Sequence, residues 1–165
     1  NMEDEFEQLA QCIDSVRLLK IPSDRSLETL IDYNNKIRLD LSCLKQPLSL
    51  GEHEYLEPYV TSAIIETDHF SDSEYLYNYK NVEHVEIVFS RSVKSFLDDR
   101  DISDFYLAIC NLPKLKTLKL QLSQLVPEQA SELKIGFRFP GSKIQVEFPE
   151  TRRQKIMAKL AQQAS

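Results

Sequence analysis

The sequence predicts an α/β fold built from short parallel strands and helices, stacked as units between an N-terminal helical cap and a C-terminal β-hairpin plus helix. Short segments in which apolar and polar residues alternate, such as residues 37–41 and 85–89, indicate strands with one buried face. Segments with helical character separate the later strands. A strand–helix–strand order favours parallel strands joined by crossover connections.

The N-terminal segment, residues 1–33, is predicted to be helical. Apolar residues recur at three- and four-residue spacing through residues 3–18 and form one helix face: Phe6, Leu9, Ile13 and Val16. A second helix is predicted over residues 25–33, with Ser23 or Asp24 able to cap its N-terminus.

Alternating strands and helices are predicted for the middle of the chain. The expected strands cover residues 37–41, 63–66, 85–89 and 118–122. Residues 71–79 begin with Ser71 and Glu74 at the spacing of a capping box, which indicates a helix start. Residues 103–111 have a helical apolar pattern that Pro113 ends.

The C-terminal segment, residues 126–165, is predicted to contain a β-hairpin and a helix. Residues 135–139 and 143–148 alternate in polarity and flank a turn that contains proline and glycine. Thr151 and Gln154 form a capping-box pair at the start of the last helix. The apolar side of that helix consists of Ile156, Met157, Leu160 and Ala161.

Length, charge and cysteine content restrict the class of protein. The chain has 165 residues, which suits one domain, with a net charge of -6 and a pI of about 5.1. An acidic chain predicts neither nucleic-acid binding nor binding to anionic membranes. No apolar run approaches the roughly 18 residues needed to span a bilayer, and the acidic start does not resemble a signal peptide.

The cysteines favour an intracellular protein. Cys12, Cys43 and Cys110 are odd in number, widely spaced and set in apolar contexts. A disulfide framework or a zinc site would need closely spaced pairs. We therefore expect buried free thiols in a reducing compartment, either the cytoplasm or the nucleus.

One segment has the spacing of the leucine-rich-repeat pattern L-x-x-L-x-L-x-x-N-x-L, with serine where asparagine is usual: Leu115, Leu118, Leu120, Ser123 and Leu125. Residues 34–125 therefore resemble a leucine-rich-repeat protein with irregular repeats. The central aliphatic residues of the four expected units are Leu39, Ile65, Ile87 and Leu120. Typical repeats have about 20–29 residues, and the third interval, from Ile87 to Leu120, is longer, so it carries an insertion.

The resemblance implies a short solenoid whose units bury each other's apolar faces. A polar residue after each strand is expected to bond the turn backbone: Ser42, Asp68, Ser90 and Ser123. The N-terminal helices and the C-terminal hairpin plus helix would cap the ends. The alternative is another α/β or α+β sheet in which apolar alternation produces the match by chance.

The resemblance also implies a protein-binding role, since leucine-rich-repeat proteins act as adaptors, ubiquitin-ligase substrate receptors, assembly subunits or bacterial effectors. The expected partner-binding residues point outward from the strands: Arg38, Ile64, Glu66, His84, Glu86, Val88, Lys119 and Gln121. Phe89 and Leu122 could add apolar anchors or turn into the core.

Motifs that carry catalysis or cofactors are missing from the sequence. It contains no glycine-rich phosphate loop, nucleophile turn, His-Glu-x-x-His or Cys-x-x-Cys, so we expect no enzyme, cofactor or metal. The alternative is a small-ligand or enzymatic α/β domain with a site near His84, Glu86 and Asp68. An acidic set is expected to be a solvated loop and helix start: Glu66, Asp68, Asp72 and Glu74. A basic set on the last helix is expected to be a solvated face: Arg152, Arg153, Lys155 and Lys159.

Overall fold

The computed structural model describes residues 2–67, 70–90, 99–138 and 143–164. The strands are β1 (Ser15–Arg17), β2 (Arg38–Leu41), β3 (Leu48–Ser49), β4 (Val60–Thr67), β5 (His84–Phe89), β6 (Thr117–Gln121) and β7 (Gln145–Glu147). The α-helices are α1 (Met2–Gln11), α2 (Ser26–Tyr33), α3 (Asp99–Cys110), α4 (Pro127–Gly136) and α5 (Arg152–Ala164). Two 3-10 segments cover Glu57–Tyr59 and Phe70–Asn78.

The seven strands form one open parallel sheet, which confirms the α/β class. The order along the sheet is β1-β2-β4-β5-β6-β7, and β3 pairs with the second half of β4. Neighbouring strands along this path therefore follow each other in the chain, apart from β3. This order arises when each connection returns the chain beside the strand it has just left.

The buried face of the sheet carries the aliphatic core. Leu39, Ile65, Ile87 and Leu120 are each 0% exposed, as the alternating pattern predicts. Phe89 and Leu122 also turn into the core, so they are not apolar anchors on the open face. None of the described helices is long and apolar enough to cross a lipid bilayer.

The predicted residue pairing is confirmed between β4, β5 and β6, and it is wrong between β2 and β4. Ile65 lies opposite Ile87, and Ile87 lies opposite Leu120. Leu39, however, lies opposite Val60 rather than Ile65. The ladder shifts directly after Leu39, and the short strand β3 places Leu48 beside Ile65 instead.

An additional strand occupies part of the predicted first helix. Helix α1 ends at Gln11, and Ser15–Arg17 pairs in parallel with β2, so that Val16 lies opposite Leu39. Apolar residues at positions 13 and 16 satisfy a helical spacing, but hydrogen bonding to β2 determines the conformation. The prediction of one helix over residues 3–18 is therefore wrong at its C-terminal end.

The predicted C-terminal hairpin is also wrong. Helix α4 includes the first two residues of the expected hairpin strand, and the Phe137 N–H bonds the Leu133 carbonyl at 2.9 Å. Phe137 is buried, with its ring 5.6 Å from Phe105 and 5.5 Å from Tyr106. Aromatic packing on α3 thus favours the helical end over a strand. Strand β7 pairs in parallel with β6, and the predicted turn at 140–142 lies outside the described residues.

The remaining helix predictions are confirmed with small changes. Helix α2 begins at Ser26 and has Arg25, rather than Ser23 or Asp24, at its N-cap position. Asp24 Oδ1 instead accepts the backbone N–H and the hydroxyl of Ser26 at 3.1 and 2.6 Å. The helix predicted over residues 71–79 is a 3-10 helix rather than an α-helix, and it ends at Asn78. At α5, the Thr151 N–H bonds Gln154 Oε1 at 2.8 Å and the Gln154 N–H bonds Thr151 Oγ1 at 3.1 Å, as a capping box requires.

The cysteines are free, but they are not buried. Cys12, Cys43 and Cys110 are all exposed. Cys12 follows α1, Cys43 lies in the turn after β2, and Cys110 ends α3. The expectation of buried thiols is wrong, because each falls at the end of an element rather than in its buried face.

Candidate functional site

The eight predicted partner-binding residues all lie on the open face of the sheet. They alternate along β2, β4, β5 and β6 with the buried core residues. Arg38, His84 and Lys119 are exposed, and the others are half-buried by their neighbours across the strands: Ile64, Glu66, Glu86, Val88 and Gln121. Strand alternation alone therefore brings these side chains onto one continuous surface.

A polar row crosses the face near the start of the strands. Ser62 lies opposite His84, and His84 lies opposite Thr117. His84 Nδ1 and Thr117 Oγ1 are 2.7 Å apart, within hydrogen-bond distance, and the His84 tautomer determines which is the donor. This bond holds the imidazole ring in place on the open face.

A charged row lies next to it. Ile64, Glu86, Lys119 and Glu147 are successive neighbours across β4, β5, β6 and β7. No salt bridge joins Lys119 to either carboxylate in the described part of the chain. These residues line a depression of about 540 Å³, together with His84 and Thr117. The charged groups are thus available to groups on a partner.

A third row combines apolar and polar groups. Glu66 lies opposite Val88, and Val88 lies opposite Gln121. The Gln121 Oε1 atom accepts the Ser123 backbone N–H at 3.1 Å, so this side chain also orders the turn that follows β6. Val88 and Ile64 supply half-buried apolar surface beside the charged row.

An ion-pair cluster borders the face where the strands begin, and the sequence did not predict it. Glu83 accepts from Arg38 Nη2 at 3.0 Å and from Lys116 Nζ at 2.8 Å. The hydrogen bond from Lys116 lowers the pKa of Glu83 most, and the charges of Lys116, Arg38 and His84 add to it against partial desolvation. A sequence feature that could have indicated this cluster is the position of Glu83 and Lys116, which each directly precede a strand.

The turns after β2 and β6 use a different group from the one predicted. Ser42 donates its backbone N–H and hydroxyl to Asp40 Oδ1 at 2.9 and 2.6 Å, so Asp40 rather than Ser42 bonds the turn backbone. Arg17 Nε also donates to Asp40 Oδ2 at 3.1 Å. Desolvation opposes ionisation of Asp40, but the bonds from Ser42 and Arg17 give a net lowering of its pKa. Asp68 lies outside the described residues, so its predicted turn role is not described.

Two asparagine side chains bond backbone carbonyls that lie far earlier in the chain. Asn34 Nδ2 donates to the carbonyls of Ala10 at 2.8 Å and Ile13 at 2.7 Å, 24 and 21 residues earlier. Asn81 Nδ2 donates to the Pro58 carbonyl at 2.7 Å, 23 residues earlier. Each bond therefore satisfies a backbone carbonyl and joins segments that are 21 to 24 residues apart in the chain.

The alternative site near His84 and Glu86 is described only in part. Its third member, Asp68, lies outside the described residues. Thr117 bonds one ring nitrogen of His84, but no carboxylate in the described part bonds the other to orient it as a base. The described residues contain no group of three or more His, Cys, Asp or Glu side chains that could hold a metal ion.

Comparisons of the chain with known proteins found no match among protein-family models, curated proteins or solved structures. A functional proposal must therefore start from the open face itself. Its main features are the charged row around Lys119, the His84–Thr117 bond and the half-buried residues Ile64 and Val88.

Proposed function

We propose that this chain is a leucine-rich-repeat-like solenoid that binds a protein partner through the open face of its sheet and has no catalytic activity of its own. It would act as an adaptor, a complex subunit or an effector-type domain. The free thiols support a reducing compartment, the cytoplasm or the nucleus, as its place of action.

The strand register supports the repeat architecture. Ala63 lies opposite Val85, and Val85 lies opposite Leu118, so the strand partners come from successive units of the chain. Two further strands extend the series: β1, which the sequence did not predict, and β7, which it predicted as part of a hairpin. The asparagine bonds between adjacent units and the strand order along the chain are further features expected of a solenoid.

The observation that carries the binding proposal is a sheet face that the rest of the described chain leaves uncovered. Every described residue on this face of β4, β5 and β6 is at least partly exposed, whereas the alternate residues are buried. On this face, charged groups surround a few apolar side chains. Protein interfaces have the same arrangement, in which the apolar centre loses its water on binding and the rim stays polar.

The strand order favours a protein partner over a small ligand. In α/β enzymes, ligands bind where the strand order reverses along the sheet. The path from β1 to β7 has no such reversal. The depression near His84, Glu86 and Lys119 belongs to the broad open face, so a macromolecular surface suits it better than a substrate.

The test is affinity capture from the native cell with the wild type and with His84→Ala/Glu86→Ala/Lys119→Ala. We expect a specific partner that the wild type captures and the triple variant loses, by about tenfold or more in quantitative mass spectrometry. A tenfold loss corresponds to about 1.4 kcal/mol, a modest cost for three residues of an interface.

The matched control is His53→Ala/Glu128→Ala/Lys80→Ala, which removes the same residue types outside the proposed face. It should capture the partner as well as the wild type does. Urea unfolding of both variants checks that the fold is kept. Equal capture by the open-face variant and the wild type would show that the partner binds elsewhere.

A further inference from the structure

Helix α5 carries an uncovered apolar face and a concentrated positive charge. Its apolar residues Ile156, Met157 and Leu160 are 48%, 59% and 54% exposed, although their spacing places them on one side of the helix. All four of its charged residues are basic, including the exposed pair Lys155 and Lys159 on successive turns. The capping box fixes where the helix starts, but its apolar face meets no core.

Helix α1 is the acidic counterpart of α5. All four of its charged residues are acidic, and its residues Phe6 and Leu9 are 45% and 67% exposed. The Phe6 ring packs edge-on against Tyr33 at 5.5 Å, which holds α1 against α2. Glu5 and Glu7 are exposed beside this apolar strip.

The two helices are attached to opposite edges of the sheet. Helix α1 leads into β1, which pairs only with β2 in the described residues, and α5 follows β7, which pairs only with β6. Strands lie about 4.8 Å apart, so the two edges are separated by roughly 24 Å across the sheet. All strands run parallel. The β1 edge of one copy can therefore lie beside the β7 edge of a second copy with the strands of both copies running in the same direction.

We propose that α5 of one copy docks on α1 of a second copy, so that copies associate head to tail. The exposed apolar side chains of the two helices would cover each other, while Lys155 and Lys159 face Glu5 and Glu7 of the neighbouring copy. Such an interface uses two different surfaces, and it therefore extends into an open chain or closes into a ring. The open faces of successive copies would then form one longer binding surface.

Sedimentation velocity on the purified chain tests the proposal. We expect the wild type to associate at roughly 100 μM, with weaker association at high salt because the charges are exposed. Lys155→Glu/Lys159→Glu and Glu5→Lys/Glu7→Lys should each lower the associated fraction about tenfold or more, since each places like charges at the positions that face each other. An equal mixture of the two variants should associate again, because glutamates at the facing positions of one helix then meet lysines on the other.

The matched control is Lys45→Glu/Lys80→Glu, which makes the same charge change away from both helices and should associate like the wild type. A wild type that stays monomeric, or a mixture of variants that does not associate, would overturn the proposal. Co-flotation with phosphatidylserine vesicles provides a second arm. Lys155-dependent vesicle binding by a monomeric chain would assign α5 to an anionic lipid surface instead, and would equally overturn it.

Discussion

Replacing Leu120 with alanine is expected to lower the free energy of unfolding by about 2–5 kcal/mol. Leu120 is 0% exposed, lies in β6 and has Ile87 opposite it on β5. The substitution removes buried methyl groups and leaves a cavity that the flanking parallel strands cannot close, because their hydrogen bonds fix their spacing. Urea unfolding followed by circular dichroism measures the change.

The neighbouring substitution Lys119→Ala is the control for Leu120→Ala. Lys119 is exposed on the open face and forms no salt bridge within the described residues, so its loss should change stability by no more than about 0.5 kcal/mol. The two variants therefore test both faces of one strand. An equally small loss for Leu120→Ala, in the range of ordinary surface substitutions, would contradict its inward orientation.

The faces of the later strands could be predicted because strand alternation is a local property. In β5 and β6, successive side chains point to opposite sides, so the apolar series alone assigns Ile87 and Leu120 to the core. The same alternation placed His84, Glu86 and Lys119 on the open face. The partner of these residues depends on the surface of another molecule. The alternation of apolar and polar residues in this chain says nothing about that surface.

Other parts of the fold depend on contacts that lie far apart in the chain. Strand β1 forms because it hydrogen-bonds β2, although its apolar residue Val16 also fits a helical spacing. The Arg38–Glu83 ion pair joins residues 45 positions apart, and nothing in the local pattern connects them. The alternation around Phe137 predicts a strand, whereas the packing of its ring on Phe105 favours the end of a helix.

Glu57 is a buried residue that the sequence did not single out. It lies in the 3-10 segment Glu57–Tyr59 and is 1% exposed, and neither carboxylate oxygen has a hydrogen-bond partner in the described chain. Burial, and then the charge of Glu54, raise the pKa of Glu57 to about 7. The Asn78 side chain opposes the shift, although it makes no hydrogen bond of regular geometry with the carboxylate. An ionised carboxylate at this position would be poorly compensated.

Replacing Glu57 with glutamine is expected to stabilise the protein above pH 7, by up to about 3 kcal/mol. In the unfolded chain the carboxyl group loses its proton near pH 4.5, whereas in the folded chain it keeps the proton up to about pH 7. The wild type therefore loses stability as pH rises from about 4.5 to 7 and loses no more above that range. Glutamine keeps the shape and carries no charge, so the difference should vanish at pH 4.

The measurement is the urea midpoint of the wild type and Glu57→Gln between pH 4 and 8, with Glu128→Gln as the control. Glu128 is exposed in the first turn of α4, and its substitution leaves the cost of burying Glu57 unchanged. The stability of that control should therefore fall with pH as the wild type's does. A constant difference between the wild type and Glu57→Gln at all pH values would mean that the Glu57 carboxylate ionises normally in the folded chain. Water would then reach it, and the contacts around Leu56 and Tyr59 would be looser than their burial indicates.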